Sequence, residues 1–90
     1  VGALPLVLDA MVGAAQVDVE TGAPQRAREL AALALAHPAT WQETIASAAE
    51  VVAAADALLG PEAAEQAARR GRATPWEVAA ARLLAEGGAP

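Results

Sequence analysis

The chain has no cysteine, lysine, phenylalanine or tyrosine, and among its 90 residues stand only two tryptophans, one histidine and one serine. Each shortage removes a class of chemistry. Without cysteine there is no disulfide and no thiolate metal site. Without lysine there is no phosphate-binding P-loop. The lone histidine, His37, has no partner ligands at metal-binding spacing, and the lone serine, Ser47, has no histidine at helical distance for a hydrolase triad. We therefore expect no catalytic residue, metal or cofactor. No apolar run is long enough to cross a membrane, because Asp9 interrupts the most hydrophobic segment. The first residues lack a basic leader and an initiating methionine, and they read like a cut inside a longer chain. Absence of cysteine is compatible with a cytoplasmic location.

What is present is alanine, arginine and acid. The sequence is 56% hydrophobic with 2% aromatic residues. Alanine is the strongest helix former and buries little area, so thin, closely packed helices are expected. β-Branched residues never alternate with polar ones over the length of a strand. All six basic residues are arginines, and the net charge is −5. That balance argues against nucleic acid and anionic membrane surfaces as partners. The Ala/Arg/Gly bias points to a GC-rich bacterial genome.

Hydrophobic spacing and stop signals predict an all-α domain over residues 1–90, with five helices in antiparallel helix-turn-helix pairs. The first spans about Leu4 to Glu20 and is apolar nearly all round, so it should be covered on more than one side. Asp9, Gln16 and Glu20 form its one polar stripe. Gly22 and Pro24 provide a stop and a start. The second helix, Pro24 to Ala36, turns Ala27, Leu30, Ala31 and Ala34 inward and leaves Arg26, Arg28 and Glu29 on its wet side. The third runs from Trp41 to Leu59, the fourth from Pro61 to Arg70 with Gly71 closing it, and the fifth from Pro75 to about Glu86.

Two related stretches, "HPATWQE" (His37 to Glu43) and "ATPWE" (Ala73 to Glu77), begin the third and fifth helices. Both fit capping boxes, with Thr40 and Thr74 as N-caps and Glu43 and Glu77 reaching back. Trp41 then heads an apolar face and is expected in the core. The two threonines are 74 − 40 = 34 positions apart, the tetratricopeptide period.

Residues Leu8 to Pro38 resemble a degenerate tetratricopeptide repeat, with Gly22, Ala27, Ala34, Leu35 and Pro38 at the repeat's loop, small, apolar and closing positions. Met11, Ala14, Ala15 and Asp18 depart from its usual bulky aromatics, Leu-Gly pair and tyrosine. The longer stretch from Thr21 to Leu84, with its "HPAT" turn and "GRA" segment, resembles the C-terminal helical region of large bacterial signalling ATPases and transcriptional regulators of the AfsR, MalT and LuxR-like type. The resemblance implies an α-solenoid end: a hairpin over 1–38, capping helices over 39–90, and preceding repeats in a longer parent chain. It also implies a non-catalytic role in protein–protein interaction or effector sensing. Asp9, Gln16 and Glu20 match groove-lining positions of such arrays and are the expected contacts for a protein or peptide partner.

Two further expectations follow. Leu6, Ala10, Gly13 and Val17 should lack a neighbour, so a homodimer through the first helix competes with closure by helices four and five. The alternative function is a small helix-turn-helix DNA-binding domain built around "ARRGRAT" (Ala68 to Thr74). Against it, the following helix opens with Trp76, Glu77 and Val78, where a recognition helix needs basic or amide side chains.

Overall fold

The computed structural model describes residues 3–87. It is all-α, as the spacing predicts: α1 (Ala3–Glu20), α2 (Pro24–Ala36), α3 (Gln42–Leu59), α4 (Pro61–Ala73) and α5 (Trp76–Gly87). No strand occurs among the described residues. Gly22 and Gly60 end α1 and α3 with φ of +90° and +84°, a conformation that only glycine adopts without strain. Pro24 and Pro61 then open the next helices.

The second helix, not the first, is the one surrounded. α2 packs against α1, α3 and α4; Arg26 pairs with Glu86 of α5, and Leu30 and Leu33 share a cleft with Ala79 and Leu83 of that helix. Ala27, Leu30, Ala31, Ala32, Leu33 and Ala34 are all buried, which takes in nearly the whole circumference. Its supposedly wet residues are tied to neighbours instead. Arg28 pairs with Asp56 of α3 at 2.8 Å, and Glu29 pairs with Arg70 of α4 at 3.5 Å. α1 buries Leu8, Met11, Val12 and Ala15 on one face only. Its opposite face stays open, with Leu6 60% and Val17 56% exposed. Helices four and five do not cover it, although α5 touches α1.

The close approach of α2 and α4 rests on small residues. Ala64, Ala67, Ala68 and Gly71 are the buried residues of α4. Gly71 does not close that helix, which continues to Ala73. A Cβ there would lie 2.1 Å from the Glu29 carbonyl oxygen and 3.0 Å from Ala32 Cβ. The residue is glycine because another backbone occupies its side-chain space.

The loop threonines end helices and do not start them. Thr40 Oγ1 donates to Ala34 O at 2.5 Å. The ordinary helical donor to that carbonyl would be the residue-38 amide, and Pro38 has none; the carbonyl accepts the His37 amide at 3.3 Å as well as the threonine hydroxyl. Thr74 Oγ1 donates to Arg70 O at 2.7 Å, and Thr21 Oγ1 to Val17 O at 2.9 Å. The N-cap of α3 is Trp41, with no side-chain cap bond. Neither threonine thus completes the expected capping box. Trp41, expected in the core, is 43% exposed, because Thr44 and Ala48 turn inward and carry the helix start outward. Trp76 is half-buried and packs on the core cluster.

The two glycines inside helices make opposite predictions. Gly13 has nothing within 4 Å of a built Cβ, so Gly13→Ala should stabilise the fold by about 0.5–1 kcal/mol through helix propensity. Gly71→Ala gains the same propensity but overpacks α2–α4, and should lower stability by about 1–2 kcal/mol net. Paired urea melts check both signs.

Candidate functional site

α1 and α3 run in the same direction, side by side. Thr44 Oγ1 donates to Asp9 Oδ1 at 2.7 Å near their starts. Further along, Gln16, Val19 and Glu20 of α1 face Glu50, Val51 and Ala54 of α3 across a shallow concavity of about 400 Å³. The three polar residues singled out in the sequence share one stripe at this seam, but they do different work. Gln16 and Glu20 line the concavity. Asp9 satisfies the hydroxyl of Thr44, which is fully buried. Asp9, expected only as a partner contact, therefore also supports the packing of α1 on α3. A buried hydroxyl needs its partner.

Sequence reasoning missed Glu50, which closes the concavity from α3. The signal was available: Glu50 follows Gln16 by 50 − 16 = 34 positions, the separation already seen between the two threonines. The floor is apolar (Val19, Val51, Ala54) and the rim is acidic or amide. The exposed Leu6 and Val17 continue the surface along α1.

A second cleft, about 220 Å³, lies between α2 and the α4–α5 corner, with Leu30, Leu33 and Leu83 among its lining residues. At its end Arg26 sits between two acids. Its Nε is 3.3 Å from Asp18 Oδ2, and its other end pairs with Glu86. The charge contact to Asp18 is close but not directed as a hydrogen bond, so buried Oδ2 accepts none. Burial pushes the Asp18 carboxyl above its ordinary range; Arg26 opposes this and Glu86 adds to it.

The remaining polar residues are engaged locally. His37 ends α2, and its Nδ1 accepts the Ala39 amide at 3.1 Å. Arg69 and Arg72 pair with Glu65, and Arg70 with Glu29, so the "ARRGRAT" arginines already have acid partners. Among the described residues no three His, Asp or Glu side chains are grouped to hold a metal ion, and no helix is long and apolar enough to cross a membrane. No family model, curated protein or solved structure matches the chain.

Two predictions follow from this geometry. Asp9→Ala strands a buried hydroxyl and should cost about 1–3 kcal/mol. In a Thr44→Val background the same change should cost almost nothing, and a double-mutant cycle by urea denaturation measures that coupling. Asp18 predicts a pH effect. Its folded pKa is raised above the ordinary 3.8, so its contribution to stability is full below that value and is lost as pH rises through the folded pKa. Asp18→Asn should therefore gain on the parent chain as pH rises from below 3.8 to neutral, in melts compared pH by pH.

Proposed function

We propose that this chain is a non-catalytic helical module that binds a protein or peptide partner along α1 and the α1–α3 seam. The observation that carries the reading is the open concavity of Gln16, Glu20 and Glu50 over an apolar floor, continuous with exposed Leu6 and Val17. A surface of this kind, apolar at its base and polar at its rim, matches the anatomy of partner-binding faces. The resemblance of Leu8 to Pro38 to a tetratricopeptide hairpin, and of the longer stretch to the helical end of bacterial signalling regulators, supports the same role. It adds the expectation of a cytoplasmic parent protein in which this segment senses or scaffolds.

Display selection of peptides against the folded chain, followed by amide-shift mapping, tests the proposal. Selected peptides should shift amides of α1 and α3. Replacing Gln16, Glu20 and Glu50 together by alanine should keep the melting curve and weaken binding at least tenfold. Asp9 is left intact because it holds Thr44. Peptides that map instead to α4 and α5 would overturn the proposal.

A further inference from the structure

The charges of this fold are sorted by helix. α1 and α3 carry six acids (Asp9, Asp18, Glu20, Glu43, Glu50, Asp56) and no arginine, whereas all six arginines lie on α2, α4 and α5. Two of the acids face inward to cations: Asp18 to Arg26 and Asp56 to Arg28. The other four have no arginine partner among the described residues. They stand at the two ends of the α1–α3 seam, Asp9 with Glu43 near the start and Glu20 with Glu50 further on. At 1.5 Å per residue, the acids are about 16 Å apart along α1 and about 10 Å apart along α3. Beside them run Leu6 and Val17, the two most exposed large hydrophobics of α1.

Resting on the interaction role proposed above, we infer that the partner of this face is a basic amphipathic helix. Its cations would recur every seven to eleven residues on one side, to meet the acid pairs at both ends of the seam. Its aliphatic side chains would lie on Leu6, Val17 and the Val19–Val51 floor. This is the helix-in-groove mode of recognition, with charge setting orientation and partner choice. A second copy of this chain is a poor occupant. Two α1 faces would oppose acid to acid with no cation on either, in a protein of net charge −5.

Three synthetic helices of about 18 residues, long enough to hold helical structure, provide the test. They share one leucine face and differ only in bearing arginine, glutamine or glutamate at the polar positions. Binding is read by anisotropy at low and high salt, and located by amide shifts on the full chain. The arginine helix should bind at α1 and α3, at least tenfold tighter than the glutamine helix, and should lose that advantage in about 0.5 M salt. The double variant Glu20→Lys, Glu50→Lys should prefer the glutamate helix. Equal binding of arginine and glutamine helices at this face would overturn the charge inference and leave the interaction role standing. If no helix shifts α1 or α3, this inference falls, while peptides selected at that face in the display experiment would still uphold the interaction role. A salt-promoted dimer closed through α1, seen by sedimentation, would also overturn the inference.

Discussion

A helix can be packed by three others only if its side chains leave room for three backbones, and that requirement governs this fold. α2 meets it with Ala27, Ala31, Ala32 and Ala34, setting Leu30 and Leu33 toward the cleft it shares with α5. α4 meets it with three alanines and Gly71, whose missing Cβ admits the Glu29 carbonyl. Alanine buries too little surface to hold helices at a distance, so these faces gain stability only by fitting closely. The scarcity of aromatics and the wealth of alanine belong to the same solution.

The central place of α2 also dictates where the charges go. Its polar positions are Gln25, Arg26, Arg28 and Glu29, and three of them reach acids or a cation on neighbouring helices. These ion pairs are partly exposed, and pairs of this kind add little to stability. With α2 pairing only Asp18 and Asp56, and the α4 arginines pairing with Glu29 and Glu65, the α1–α3 layer is left acidic on its outer side. The candidate binding face is thus a by-product of how the core is neutralised, and its apolar part is the side of α1 that no other helix reaches.

Helix number, order and most ends were legible in the sequence, because Gly22–Pro24 and Gly60–Pro61 punctuate the chain by steric rules independent of tertiary context. What was not legible depended on neighbours. A threonine before a tryptophan looks like an N-cap, yet Thr40 donates back to the Ala34 carbonyl, which Pro38 cannot reach with an amide and which the His37 amide shares. Trp41 looks like a core anchor, but the inward face of α3 is set by Thr44, Ala48, Val51 and Ala55. Gly71 looks like a stop, and only the position of α2 shows that it is a contact. The stripe of Asp9, Gln16 and Glu20 was placed on one face, although only the pairing of α1 with α3 reveals that Asp9 is structural and Glu50 belongs with the others. That Leu6 and Val17 lack a neighbour was legible in the all-round hydrophobicity of α1; that helices four and five leave that face open was not.

The claim that α2 is the element around which the rest assembles is tested most directly by native-state hydrogen exchange, residue by residue. Amides from Leu30 to Ala34 should be the slowest in the molecule and exchange only through global unfolding. Those on the outer sides of α1 and α5 should open earlier by local fluctuation. A pattern in which α1 is the most protected helix and α2 exchanges through a smaller opening would contradict the account.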